Sequence, residues 1–235
     1  FLINNVTVGK GANSLSNNTL VGRNGLENVT AQGNTGVGSR VLQDLTSGAS
    51  NTAIGNAAAK ELITGGSNTA IGQDALGTCT GGNHNVAIGR QALNVSTASE
   101  NTAVGNYTLN ANTTGTDNTA IAKDALLSNT TGGGNTAVGK NTLRNNTTGG
   151  SCTSVGKNAL YANTTGFSNV AVGQSALNAN TTANDNVAVG VNSLLNSTAA
   201  NNTAVGKNTL RTNTSGTNLT AIGKDALYAN TTGVS

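Results

Sequence analysis

The sequence contains no proline, methionine or tryptophan, and aromatic residues occupy only 2% of its 235 positions. A conventional core of large side chains therefore has few candidate residues. Charged residues are also scarce, at 9%, and the formal net charge is only +3. This balance gives no domain-scale basic patch of the kind that nucleic-acid-binding proteins carry, so we expect no nucleic-acid partner.

Long apolar runs are missing as well. The longest span only a few residues, as in Ala57-Ala58-Ala59, whereas about 20 are needed to cross a bilayer. We therefore expect no membrane insertion by this segment. The first residues, Phe1 to Asn5, lack a basic stretch followed by an apolar one, so any secretion signal is expected to have been removed or to lie outside the chain.

A Val/Ile-Gly dipeptide, by contrast, recurs along the whole chain. Its first step is 13 residues and every later step is 16 or 17, provided that Ala122 is counted as replacing one glycine. The glycines of this column are Gly9, Gly22, Gly38, Gly55, Gly72, Gly89, Gly105, Gly139, Gly156, Gly173, Gly190, Gly206 and Gly223. The period predicts about 14 rungs of about 17 residues in a single repetitive domain, residues 1–235, with irregular first rungs over 1–38 and regular repeats over 39–235.

Each unit is too short for a pair of helices, and it combines β-branched residues with an Asn-Thr-Thr-Gly turn. Both features favour short strands. Stacking the units in parallel predicts an all-β fold, a parallel β-solenoid of the β-roll type with a second strand around Ala159 and Leu160. Side chains alternate along a strand, so Thr136 and Val138 share one face. Ala137 lies on the other, beside the Asn and Gly columns.

We expect the Val/Ile and Leu columns to form the interior. Each rung then buries about two large side chains, at ~1.5–3 kcal/mol each, against ~1–2 kcal/mol of backbone entropy for every residue. Such a thin coil is marginal alone, so self-association is expected. The small side chains of the Asn/Ala/Gly face would allow close approach, and we predict that this face lies at the inter-chain contact.

Two groups of proteins carry similar repeats. The segments Asn51 to Gly55 and Asn85 to Gly89 resemble the Ser/Asn-Val-Ala-Ile-Gly repeats of YadA-like trimeric autotransporter adhesin heads, although the unit here is somewhat longer. The segments Ala159 to Gly166 and Ala226 to Gly233 resemble repeats of phage and bacterial tail-fibre proteins that end in an endosialidase-type intramolecular chaperone. The resemblance covers essentially the whole chain. It implies a left-handed homotrimer on a cell surface or virion, the shaft or head of an extracellular fibre that attaches to a host.

Two other functions stay open. A self-assembling extracellular filament is suggested because both ends of the chain are still in repeat sequence, whereas solenoids normally need polar caps. An ice-binding solenoid is suggested by the abundant threonine. Against ice binding, we expect the strand threonines to point inward beside Val/Ile, and the Thr-Thr pairs lie in a turn rather than on a flat strand.

The position after each column glycine is frequently basic. Such a stripe could hold surface glycans, acidic polysaccharide or a host receptor by multivalent contact. Alternatively it is a solvated turn column, with pairing to acidic residues such as Asp74, Asp124 or Asp225. The stripe consists of Lys10, Arg23, Arg90, Lys123, Lys140, Lys157, Lys207 and Lys224.

Five Asn-Thr-Thr triplets match the N-glycosylation sequon. Duplication of a single turn explains them equally well, because Asn suits turns by bonding to nearby backbone. The candidate acceptors are Asn112, Asn129, Asn163, Asn180 and Asn230.

No pattern of catalytic or metal-ligating residues is present. Cys79 and Cys152 occupy different columns more than four rungs apart, roughly 20 Å at the strand spacing, whereas a disulfide needs ~4.4–6.8 Å between Cα atoms. We therefore expect free thiols. His84 is the only histidine, has no partners at metal-ligand spacing and is expected in a loop. The sequence predicts no metal, no cofactor and no enzyme activity.

Overall fold

The computed structural model describes residues 2–3, 6–9 and 17–233, and these residues form short strands joined by turns. The chain divides into two compact units, Phe1–Thr116 and Asp117–Ser235, called unit 1 and unit 2. The single-domain boundary predicted from the sequence stays a prediction, and the two units are described separately.

Unit 1 begins with an antiparallel hairpin and continues as a parallel stack. Strands β1 and β2 pair antiparallel, as do β2 and β3, whereas each later pair from β3 to β8 is parallel. The repeat at Gly9 is therefore an antiparallel strand and not the parallel rung that its motif predicts. The strands are β1 (Leu2–Ile3), β2 (Val6–Gly9), β3 (Thr19–Arg23), β4 (Thr35–Ser39), β5 (Thr52–Ile54), β6 (Thr69–Ile71), β7 (Val86–Ile88) and β8 (Thr102–Val104).

Unit 2 is a parallel stack throughout its described strands. Partners follow the sequence period, as in Thr136 beside Thr153. The prediction of an all-β parallel solenoid is confirmed, with 13 parallel strands in about 12 turns of about 17 residues. The strands are β9 (Thr119–Ile121), β10 (Thr136–Val138), β11 (Thr153–Val155), β12 (Val170–Val172), β13 (Val187–Val189), β14 (Thr203–Val205) and β15 (Thr220–Ile222).

The strands face the opposite way from the sequence prediction. Asn135 and Ala137 are fully buried, whereas Val138 is only half-buried. The same holds along both units, so the prediction of a Val/Ile interior and an Asn/Ala contact face was wrong. The interior is narrow and already contains the buried Leu column, which includes Leu143. Close packing then leaves room for only a small side chain opposite.

Asparagine side chains occupy the interior because each one bonds to neighbouring backbone. The amide of Asn135 accepts from the backbone N–H of Cys152 at 3.0 Å and donates to the carbonyl of Gly149 at 3.0 Å. A second buried column meets the same carbonyl, since Asn146 Nδ2 donates to Gly149 O at 2.8 Å and to Asn129 Oδ1 at 2.7 Å. Buried polar groups are stable when bonded in this way. The core is therefore partly polar.

The predicted second strand is absent from the segment around Leu160, which is a turn. Asn158 and Leu160 both have positive φ, 58° and 48°, whereas a strand requires extended dihedrals. The segment still stacks on its neighbours, for example through Leu143 N–H donating to Ala159 O at 3.1 Å. Each turn of the solenoid thus carries one strand.

Candidate functional site

The outward side of the strands is an uncharged surface of Thr, Val and Ile. In every parallel strand the inward Ala, Gly, Leu or Ser is flanked by two outward residues, and we call this surface the Thr/Val face. Some of its aliphatic members are exposed, with Ile54 and Ile121 at 39% and Val155 at 37%, and the others are half-buried. In unit 1 the face comprises Thr19, Val21, Thr35, Val37, Thr52, Ile54, Thr69, Ile71, Val86, Ile88, Thr102 and Val104. In unit 2 it comprises Thr119, Ile121, Thr136, Val138, Thr153, Val155, Val170, Val172, Val187, Val189, Thr203, Val205, Thr220 and Ile222.

The two threonine columns differ in how their hydroxyls are used. In the turn column the hydroxyl donates to the next turn, as Thr147 Oγ1 does to Thr164 O at 3.0 Å. Strand threonines such as Thr52 and Thr136 point outward and are only half-buried. The prediction that they point inward beside Val/Ile was wrong, so their hydroxyls face the surroundings.

A basic column borders one side of the Thr/Val face. Its described members are all exposed: Arg23, Arg90, Lys123, Lys140, Lys157, Lys207 and Lys224. Lys10 lies outside the described residues. Two lysines face the acidic residue next to them in the same chain, Lys123 Nζ at 4.0 Å from Asp124 Oδ2 and Lys224 Nζ at 3.7 Å from Asp225 Oδ2. A ligand for this column stays a prediction.

The opposite border carries serine, asparagine and glycine residues, His84 and three acidic residues. It is the position before each buried Asn, where Ser50 and Ser151 are exposed and where Glu100, Asp117 and Asp185 are exposed carboxylates. Sequence reasoning missed this border, although alignment of the repeats in columns would have shown it. The Thr/Val face therefore lies between a basic edge and a partly acidic edge.

Most of the candidate glycosylation sites lie in the interior. Asn163 Nδ2, for example, donates to Gly166 O at 2.9 Å and to Asn146 Oδ1 at 2.8 Å. A glycan on such a nitrogen would have to be attached before the chain folds, and modification stays a prediction. Asn112, Asn129, Asn163 and Asn180 are fully buried, and Asn230 is half-buried in the last described turn.

Both cysteines are free, as the sequence predicted, and both are buried. Each replaces the Asn of an interior column. Burial away from water raises the pKa of Cys79 to about 11. The protonated thiol donates a hydrogen bond to the Gly81 carbonyl at 2.7 Å. Burial also raises the pKa of Cys152 above its ordinary 9.0. The thiols are therefore protonated and shielded at neutral pH.

We expect thiol reagents to label the folded chain slowly at pH 8. The raised pKa alone leaves Cys79 about 100-fold less thiolate than an ordinary cysteine. The pKa of Cys79 is higher in the folded chain than in the unfolded chain. The contribution of the protonated thiol to the free energy of unfolding is therefore fully present below about pH 9 and is lost as the pH rises towards 11. The rate of Ellman's reagent reaction, with and without guanidinium, and the Tm between pH 8 and 11 measure both effects.

The control is Cys79→Asn/Cys152→Asn, which places the commonest residue of each column at both positions. Its Tm should fall less steeply above pH 9 than that of the parent chain. Equal labelling rates in the folded and unfolded chain would contradict the buried position.

Three further sequence predictions concern a metal site, the position of His84 and membrane-spanning segments. Across residues 17–233, no three His, Cys, Asp or Glu side chains are grouped so that they could hold a metal ion. His84 is exposed in a loop, as predicted. No helix suited to crossing a membrane occurs in the described part of the chain.

Comparison with known proteins gives no assignment. No protein-family model matches the sequence, and no curated protein or solved structure is significantly similar to it. The resemblance to adhesin-head and tail-fibre repeats thus rests on the motifs alone.

Proposed function

We propose that the chain is a structural and adhesive segment of an extracellular fibre, the shaft or head of a homotrimeric phage tail fibre or bacterial surface adhesin. The observation that carries this proposal is the Thr/Val face, an uncharged surface that both units repeat turn after turn. In each unit this face presents valine and isoleucine side chains beside its threonines, and large surface patches that contain exposed apolar side chains mark interaction sites. A surface that repeats the same side chains in each turn suits a fibre better than a reaction centre.

The partner proposed for this face is a further copy of the same chain. Its two borders differ in charge, with lysines and arginines on one side and carboxylates such as Glu100, Asp117 and Asp185 on the other. Copies arranged side by side around a threefold axis would bring the basic border of each next to the acidic border of its neighbour. Head-to-tail contacts of this kind close into rings.

Adhesion is proposed for the surfaces that remain outside such a trimer. A threefold fibre presents every exposed column three times. Simultaneous binding by the three copies raises the overall affinity even though each individual contact stays the same. Lys140 and Lys157, on neighbouring turns, support binding of anionic surface glycans where they are not used between chains. Location on a cell surface or virion follows from this role.

We expect Val138→Lys/Val172→Lys to dissociate the trimer. Both side chains point outward, so the substitution leaves the interior of unit 2 intact but places like charges against each other between copies. Like-charge contact costs several kcal/mol, enough to weaken association at least ~100-fold. Light scattering after gel filtration should show the mass of three chains for the parent and of one chain for the variant.

Thr148→Lys/Thr182→Lys is the matched control, because these exposed turn threonines belong to the same two turns. It should remain trimeric. A parent chain that stays monomeric at high concentration would overturn the trimer, and particles that lengthen with concentration in electron micrographs would favour the alternative of an end-to-end filament.

Ice binding is a second candidate, favoured by the outward strand threonines. Ranks of hydroxyl and methyl groups at the regular ~4.8 Å spacing of neighbouring strands could order water on a flat sheet. The same face cannot serve both functions at once. Thermal hysteresis measured on the monomeric fraction would support ice binding. If that fraction shows no thermal hysteresis, ice binding is excluded.

A further inference from the structure

A polar pocket of about 250 Å³ opens on the surface of unit 1, outside the Thr/Val face. It extends over four successive turns of the solenoid. The polar residues that line it are Arg40, Lys60, Glu61, Asp74, Thr78, Gln91 and Asn94.

Two small residues create the pocket. Ala57 stands two positions after a column glycine, where Asn141 and Asn158 stand in other turns, and Gly77 follows the buried Leu, where other turns carry longer side chains such as Tyr161. Both also line the pocket. Ala57 and Gly77 lie on neighbouring turns. The longer side chains that cover this surface in other turns are therefore missing at two adjacent positions, and this leaves the pocket open. A Cβ on Gly77 would lie only 2.7 Å from Asn94 Oδ1.

The pocket contains an unsatisfied acceptor. Asn94 Oδ1 is buried and has no hydrogen-bond partner. Leaving such a group unpaired costs about 1–3 kcal/mol, so the pocket wall would gain stability if the Asn94 side chain turned its oxygen towards a donor on a ligand. The carboxylate of Asp74, which accepts from Gln73 Nε2 at 3.1 Å, is a second acceptor on the wall.

Donors line the same pocket in equal measure. Lys60 Nζ lies 3.1 Å from Glu61 Oε1, and both side chains remain partly exposed, at 31% and 39%. The guanidinium of Arg40 makes only a long contact, Nη2 to Asn56 Oδ1 at 3.5 Å, so its other N–H groups can reach a ligand. The two cations and two carboxylates of the pocket cancel, which favours a neutral ligand.

A neutral ligand that meets donors and acceptors side by side needs groups that do both, and a hydroxyl donates one hydrogen bond and accepts two. The volume lies just below the ~300–1,000 Å³ of sites for drug-sized molecules and suits one small ring. We propose that this pocket binds a neutral monosaccharide unit of a surface glycan. The assignment does not depend on the Thr/Val face or on trimer formation.

The test is saturation-transfer NMR with the methyl glycosides of glucose, galactose, mannose and N-acetylglucosamine at millimolar concentration. The parent chain should respond to at least one of them. Ala57→Asn/Gly77→Asn fills the pocket with residues that the same columns carry in other turns, and φ at Ala57 is 55°, which Asn tolerates. The atom that a Cβ at Gly77 would meet most closely is the end of the Asn94 side chain, which can move aside. This variant should therefore fold normally by circular dichroism and lose the response at least ~10-fold.

Ser175→Asn/Leu195→Asn is the matched control, since it makes the same column changes on neighbouring turns of unit 2. It should respond like the parent chain. Asp74→Asn provides a second variant that keeps the pocket open, and it should weaken binding ~10-fold through loss of a charged acceptor.

No response of the parent chain to any of the four glycosides would overturn the proposal, as would a filled variant that binds equally well. Light scattering on the same samples measures the oligomeric mass, which tests the fibre proposal independently of glycoside binding. Filling the pocket should leave the oligomeric mass unchanged.

Discussion

Gly156→Ala is expected to lower the free energy of unfolding by about 3 kcal/mol or more. The glycine has φ of +132°, a conformation that side chains rarely adopt, and a Cβ there would lie 2.6 Å from Gly173 O and 2.7 Å from Gly173 C. Backbone strain of this kind costs about 1–3 kcal/mol, and overpacking adds about 1–3. The obstructing atoms belong to the next turn's backbone, so the clash cannot be relieved by rotating a side chain.

Urea unfolding followed by circular dichroism measures this loss. Ala122 provides the reverse experiment, because it occupies the glycine column with φ of +98°. Ala122→Gly should raise stability by up to ~1 kcal/mol as the relief of strain exceeds the added entropy of the unfolded chain. A Gly156→Ala chain as stable as the parent would show that the turns are looser than the structure indicates.

Asn135→Ala is expected to cost about 3 kcal/mol. The substitution removes the acceptor of the buried Cys152 N–H and one of the two donors to Gly149 O. An unpaired buried group costs about 1–3 kcal/mol, and the empty space left by the side chain adds to that. The lost hydrogen bonds connect one turn of the solenoid to the next. The substitution should therefore destabilise the stack of turns and not only a single loop.

Asn196→Ala is the control for this change, since Asn196 is exposed on a turn of the same unit. Surface substitutions of this kind usually alter stability by no more than ~0.5 kcal/mol. Midpoints of urea unfolding compare the two variants directly. Equal midpoints would mean that the interior asparagines fill space without stabilising the fold through hydrogen bonds.

The period, one strand per repeat and the parallel register of the regular repeats could be predicted from the sequence. Equal spacing of Gly139, Gly156 and Gly173 shows directly which residues stack, because a repeat unit cannot bury its apolar side alone. Alternation likewise shows that Thr136 and Val138 share a face. These properties depend only on separations along the chain.

The direction of that face could not be predicted in the same way. Hydrophobicity favours Val138 as the buried residue, whereas the structure buries Ala137 and Asn135. The choice depends on the width of the interior and on acceptors such as Gly149 O, which come from other parts of the turn. Local alternation does not contain that information.

The pocket and the missing second strand have similar causes. Leu160 adopts positive φ, which its residue type disfavours, so only the stacked neighbours explain its conformation. The pocket arises because Ala57 and Gly77 are small in neighbouring turns. Each residue alone is unremarkable in the sequence, and the cavity is visible only once the turns are stacked.

Three turns are one residue shorter than the rest, and their strands still pair in register, as in Val86 beside Thr102 and Val187 beside Thr203. The missing residue falls in the loop between the buried Leu and the next buried Asn, for example between Leu93 and Asn101. A one-residue deletion in that stretch is therefore expected to leave the register of the following strands unchanged, as in these shorter turns. Because a repeat in such a stack contacts mainly its two neighbours, adding or removing one whole turn is expected to change the length of the stack and leave the other turns as they are.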